Sequence, residues 1–211
     1  MIVLSIDLDI IMHRSLPAYN HFIGPDYTIE EVMRDYPFLH PCESDLYIYE
    51  QLTVLLTKLF KRLDKSQIVF IEHHDKILEF TEGLPPFSLI NIDHHHDIGY
   101  HFTEEDWKQR LIKENVDCGN WVKYLADNKQ LSEYLWIRND NSIFDGVPKK
   151  YEPQIIEIPG EGNYLDDIAN NADKVFICAS FRWIPRMYQP LYQVWIDLYK
   201  SYYNVNEVRV F

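Results

Sequence analysis

Cysteine is scarce in this chain: Cys42, Cys118 and Cys178 are the whole complement, with no Cys-x-x-Cys spacing. An odd, dispersed set excludes a disulfide framework and a zinc knuckle and reads as free thiols in a reducing compartment. Positive charge is also short, 20 Lys and Arg against 33 Asp and Glu, for a formal net charge of −13. Such a surface does not suit a phosphate backbone, so no nucleic acid partner is expected. An acidic field favours cationic ligands: metal ions, amines or guanidinium groups. Long apolar runs are missing too, since no stretch approaches the ~18 uninterrupted residues of a bilayer span. The first six residues, Met1-Ile2-Val3-Leu4-Ser5-Ile6, reach Asp7 without the basic leader or cleavage site of a signal peptide. A cytoplasmic protein with no membrane partner is the expectation. Glycine clusters once, at Gly160-Glu161-Gly162, which is too short for a phosphate loop and reads as a turn or lid.

What is abundant is hydrophobic and aromatic mass, 46% and 15% of 211 residues, enough for one globular domain over 1–211 with a sizeable core. The series Trp183, Tyr188, Tyr192, Trp195, Tyr199, Tyr202 and Tyr203 reads as core or as the interface of a homo-oligomer. Residues 1–11 predict a central strand whose end carries Asp7 and Asp9 on one face. Residues 14–46, rich in proline, predict a long loop with a short helix over 28–34, and 14–44 by length and position a lid. Helical spacing of Leu46, Tyr49, Leu52, Leu55, Leu56, Leu59 and Leu63 predicts an amphipathic helix over 45–64, capped by Ser44. Strands are predicted at 68–71, 88–93, 154–158 and 174–180, with a further apolar run at 134–137 and an edge strand at 208–211. Helices are predicted at 76–81, 103–114, 120–126, 163–171 and 190–203. Alternation of helices with apolar, non-alternating strands predicts an α/β fold: an open, mostly parallel sheet in three layers. Ligands in such folds bind beyond the carboxyl ends of the strands.

Three strand ends carry polar clusters of one chemical kind. They are Asp7 and Asp9, then Glu72-His73-His74-Asp75, then Asp93-His94-His95-His96-Asp97 after the apolar run Leu89–Ile92. Extended alternation would point Asp93, His95 and Asp97 to one side and His94 and His96 to the other. Carboxylates gathered without compensation repel one another, and one or two divalent cations cancel that repulsion. An oxygen-dominated set with a few imidazoles suits Mn²⁺, and Fe²⁺ or Zn²⁺ less well. Two such ions lower the pKa of a shared water and yield hydroxide at neutral pH.

Ser5-Ile6-Asp7-Leu8-Asp9 together with Asp93-x-His95-x-Asp97 resembles the metal motifs of the arginase-like ureohydrolase superfamily. The peptide arginase branch is the nearer likeness, through Ile71-Glu72-His73-His74-Asp75, Gly119-Asn120-Trp121 and Leu135-Trp136-Ile137. The resemblance implies an arginase-like sheet and a dinuclear manganese centre. His73, Asp93, Asp97 and Asp7 would hold one ion, with His74 competing for the place of His73. His95, Asp9 and the shared Asp93 and Asp7 would hold the other. Hydroxide bridging the pair would attack the guanidinium carbon of arginine, free or in a peptide, to give ornithine and urea. In ordinary arginases the Asp-x-Asp strand comes late and continues to a further Asp-Pro. Here it comes first, with Met12 and His13 in those places, so the strand order would be permuted. The proton shuttle and substrate anchor have no direct match; His96, His74, Glu72, His101 and Asp117 are the candidates. Asn120 and Trp121 read either as a pocket wall facing a cationic substrate or as a helix start with a core indole.

Two other readings compete. A phosphoesterase of the Asp-His-His type also pairs an early Asp-x-Asp with a later Asp-His-His, but it has small residues where Ile10 and Ile11 stand. A catalytically silent metal-binding protein of the same fold would lack a ligand, and none of the expected six is missing.

Overall fold

The computed structural model of the chain describes residues 1–11, 43–99, 116, 118–139, 142, 144, 147–158, 164–180 and 189–208. The predicted helices over 28–34 and 103–114, nearly all of the proposed lid and the 160–162 turn lie outside these residues, as does most of the 208–211 strand. Six strands, β1 (Ile2–Asp7), β2 (Ile68–Ile71), β3 (Phe87–Ile92), β4 (Leu131–Asn139), β5 (Gln154–Ile158) and β6 (Lys174–Cys178), form one sheet in the order β2-β6-β1-β3-β4-β5. Every pairing is parallel. The chain is therefore an open α/β sheet, as the alternation of elements predicts.

Period-two alternation sends the two faces of the sheet into two cores. Leu4 and Ile6 of β1, Phe70 of β2, Ile92 of β3 and Ile177 of β6 pack with α1 (Glu43–Arg62), α4 (Tyr164–Asn171) and α5 (Gln189–Tyr203). Val3, Ile71, Leu89 and Phe176 pack on the other face with α2 (Ile77–Thr81) and α3 (Trp121–Asp127). Three layers result.

Helix α1 buries Leu52, Leu55, Leu56 and Leu59, each burial stabilising the fold by roughly 1.5–3 kcal/mol. The predicted inner stripe is correct except at Leu46, which is exposed. The helix starts at Glu43, so Ser44 falls inside the first turn rather than at its cap. Polar tips in the aromatic core find partners. The indole of Trp195 donates to Thr53 Oγ1, and the Tyr192 hydroxyl meets the carbonyls of Ile71 and Ile177 at 3.0 Å each, tying together the ends of β2 and β6. Tyr192, Trp195 and Tyr199 are core, whereas Tyr202 is exposed. Among the described residues no helix is long and apolar enough to cross a membrane.

From β1 the chain runs to β2 on one side, then returns to β3 on the other. That reversal leaves a crevice beyond the carboxyl ends of β1 and β3, the usual ligand position in open α/β sheets.

Candidate metal centre

One residue past the Ile6–Ile92 pair, Asp7 closes β1 and Asp93 follows the end of β3. Ser5, Asn91 and Cys178 occupy the same face, that of the second core, as their register positions require. The strand does not continue to Asp9. A 3₁₀ turn over Leu8–Ile11 takes its place, and Asp9 N–H donates to Asp7 Oδ1 at 3.1 Å. Asp9 still reaches the cluster, by a turn and not by alternation.

Extended structure likewise stops at Ile92. The chain bends through 93–95, and Asp97 has a φ of 51°, a left-handed conformation that costs about 1–3 kcal/mol for a residue with a Cβ. Ser180, with a φ of 45°, is a second such residue at the site, and its hydroxyl donates to Asp7 Oδ2. The first turn of α3 holds Asp97 from behind. Val122 N–H donates to its carbonyl at 3.0 Å and the Trp121 indole to its Oδ2 at 2.7 Å.

His74, not His73, joins the carboxylates. Its Nδ1 lies 3.1 Å from Asp7 Oδ2, 3.2 Å from Asp93 Oδ2 and 3.2 Å from Asp97 Oδ2, and all four residues are buried. The cause is local: β2 ends at Ile71, His73 stays extended, and a 3₁₀ turn starting at His74 reverses the side-chain direction. A single N–H cannot donate to three carboxylates at once. Ligand atoms held ~2.1 Å from one cation stand ~3.0–3.4 Å apart, which is the spacing seen. On the other side of Asp93, His95 Nδ1 lies 2.7 Å from Asp9 Oδ2 and 3.9 Å from Asp93 Oδ1. Asp93 thus offers one oxygen to each group. Both groups can hold a metal ion, and a third set, Asp7, His74 and Cys178, overlaps the first.

Electrostatics favour a cation here. Burial and the charges of Asp97 and Asp7 push the Asp93 carboxyl up to about 7. Burial, then Asp7 and Asp93, hold Asp9 well above the ordinary carboxylate range. Burial also acts to raise Asp7, but its contacts with His74 and Ser180 and the Asp9 backbone outweigh it and hold that group low. Desolvation opposes charge on His74, yet Cys178, Asp7, Asp93 and Asp97 raise it well above its usual value. Desolvation likewise opposes charge on His95, which Asp9 and Asp93 nevertheless bring up to about 10. A divalent ion would supply the compensation that protons otherwise provide.

The structure therefore brings together Asp7, Asp9, Asp93, His95 and Asp97 of the predicted ligands. It replaces His73 by His74, which becomes a ligand candidate and leaves the acid–base list. His96 is buried against Trp136 and Phe144, with Nδ1 accepting from Ile98 N–H, and the bend through 93–95, not strand alternation, puts it there. Glu72 is exposed at the end of β2. Trp121 is fully buried behind Asp97, not on an open pocket wall. Asn120 stands at the start of α3, where its carbonyl accepts from Tyr124 N–H. Asp117 and His101 lie outside the described residues. Sequence reasoning missed Ser5, Ser180 and Cys178 as neighbours of the cluster; for Ser5 the signal was present, two residues before Asp7 on the same strand face. Compared with family models, curated proteins and solved structures, the chain matches none.

Proposed function

We propose that this chain is a metal-dependent hydrolase with two adjacent cation positions, acting on the carbon–nitrogen bond of a guanidino group. The observation that carries the reading is the Asp93 carboxylate: its Oδ2 lies 3.2 Å from His74 Nδ1, which Asp7 and Asp97 also approach, and its Oδ1 lies 3.9 Å from His95 Nδ1, which Asp9 also approaches. His74, Asp7, Asp97 and Asp93 would hold one ion, and His95, Asp9 and Asp93 the other. Manganese suits this set best, with Fe²⁺ and Zn²⁺ as weaker fits to its oxygen-rich chemistry. Divalent cations at such a centre supply Lewis acidity and hydroxide at neutral pH.

The protein's own groups contribute position and charge. Trp121 and Val122 fix Asp97, Ser180 fixes Asp7, and the Asp9 carboxylate accepts from the backbone of His94 at 3.2 Å. His95 is partly exposed while the first group is buried, so a substrate would approach from the His95 side. The substrate class rests on the likeness to arginase-like ureohydrolases and on the net charge of −13, which favours a cation such as arginine, free or in a peptide. Water adds to the guanidino carbon, the carbon–nitrogen bond to the side chain breaks, and urea and ornithine result.

Metal analysis of the purified protein should find two equivalents of manganese. Asp93→Ala is expected to lose both, and retention of two equivalents would refute the shared carboxylate. Urea release from arginine or arginine-containing peptides tests the reaction. Phosphate release from nucleotides would instead support the phosphoesterase reading, which the succession Asp7-Leu8-Asp9 and Asp93-His94-His95 favours. Silence in both assays with full metal loading would point to a binding protein.

A further inference from the structure

His74 is held on three sides, and only one of them is the carboxylate cluster. At Nε2 the Ser5 hydroxyl oxygen lies 2.6 Å away, with both residues buried. Against the ring stands the indole of Trp121, with centroids 4.8 Å apart and planes at 39°. At Nδ1 stand the oxygens of Asp7, Asp93 and Asp97. A neutral imidazole that binds a cation through one nitrogen carries its proton on the other, and the partner of that second nitrogen sets which is which.

We propose that Ser5 is a positioning residue of the metal centre: its hydroxyl oxygen accepts the Nε2 proton of His74 and so presents a bare Nδ1 to Asp7, Asp93 and Asp97. The proposal rests on the reading of this cluster as a metal centre. Ser5 is suited to the task by its place. It lies in β1, hydrogen-bonded between β3 and β6, where the backbone opposite Asn91 and Phe176 has little freedom to shift. Two residues on, the same strand delivers Asp7, so one rigid segment fixes both a ligand and the orientation of its neighbour. Trp121 restrains ring rotation from the side, and the same indole fixes Asp97. The histidine at the end of edge strand β2 is thereby aimed by the central strand.

Cadmium-loaded protein with isotope-labelled histidine gives a direct test, the His74 signals being assigned by their loss in His74→Gln. Heteronuclear NMR is expected to show cadmium coupling at Nδ1 and a slowly exchanging proton at Nε2. Coupling at Nε2 overturns the proposal. In a manganese titration followed by electron paramagnetic resonance, Ser5→Ala should weaken binding about 10- to 100-fold, the usual effect of removing an outer partner of a metal-binding histidine. Ser5→Thr, which keeps the hydroxyl and suits a strand, should restore it. Equal affinity of wild type and Ser5→Ala overturns the role of Ser5 while leaving the metal centre standing. Absence of cadmium and manganese binding in the wild type overturns the metal centre and the proposal together.

Discussion

The indole nitrogen of Trp136, on β4, donates a 2.8 Å hydrogen bond to the backbone carbonyl of Asp93. The Asp93 N–H in turn donates to the carbonyl of Ile137 at 3.1 Å. β4 thus fixes both backbone groups of the residue whose carboxylate links the two halves of the cluster. Trp136→Phe keeps a ring in the core but removes the donor. The loss should cost about 1–3 kcal/mol, the penalty for a buried carbonyl deprived of its partner, read by urea denaturation of the metal-free protein. A stability equal to wild type would show that the carbonyl had found another donor.

His73 and His74 are neighbours with opposite fates, which makes a paired substitution informative. His74→Ala should abolish manganese binding at the buried group, whereas His73→Ala should keep both equivalents. Isothermal titration of the two variants side by side checks this. Loss of metal in His73→Ala alone would restore the residue that the sequence motif favours.

The carboxyl of Asp93 and the imidazoles of His74 and His95 all titrate above their ordinary values in the metal-free protein. A group raised in this way stabilises the fold at pH below its unfolded value and loses that contribution as pH climbs through the folded one. For Asp93 the window runs from the ordinary carboxylate range to about 7, and for His95 from the ordinary histidine range to about 10. Asp7 has the opposite sign, and its loss falls in the acid range. The metal-free protein should therefore melt at progressively lower temperature from pH 5.5 to 9, while manganese-loaded protein changes less. Differential scanning calorimetry with chelator and with manganese measures the gap. A gap that narrows with rising pH would contradict the assignment.

The two sides of α1 offer a control on the fold itself. Leu56 is fully buried and Val54 is 55% exposed, two residues away. Leu56→Ala should destabilise by about 2–5 kcal/mol. Val54→Ala should change stability by less than about 0.5 kcal/mol. Chemical denaturation midpoints of the two variants, compared at equal m-values, would reveal any error in the orientation of the helix.

Regular segments were readable from the residues alone because their burial pattern is written in the period of the sequence. β2 and β5 coincide with the predicted 68–71 and 154–158, and α1 starts two residues early. The gathering of Asp and His was readable too, since residues of that kind recur at three strand ends. Direction was readable only while the backbone stayed extended. Asp9 sits in a 3₁₀ turn, Asp97 has a positive φ, and His74 follows a bend, so counting by twos placed some of these side chains for the wrong reason and misplaced His73. The support from Ser180 and Trp121 was hidden for another reason. It depends on β6 lying beside β1 and on α3 packing behind Asp97, relationships fixed by tertiary contacts and not by any local pattern.

β1 also carries a consequence for how the protein is made. Val3 pairs with Lys174, and Ile2 N–H donates to the carboxylate of Asp173, so the central strand waits some 170 residues of synthesis for one of its two neighbours. Pairing over such a separation is slow, because closing the loop costs entropy before any contact repays it. Until β6 emerges, the apolar edge of β1 stands open and Asp7 lacks Ser180. At translation rates of about 5–20 residues per second, the nascent chain spends roughly 10–30 seconds with β1 lacking that neighbour. The acidic cluster is thus gathered from residues 7–97, while the hydroxyl that steadies its first carboxylate arrives with β6, the last strand among the described residues.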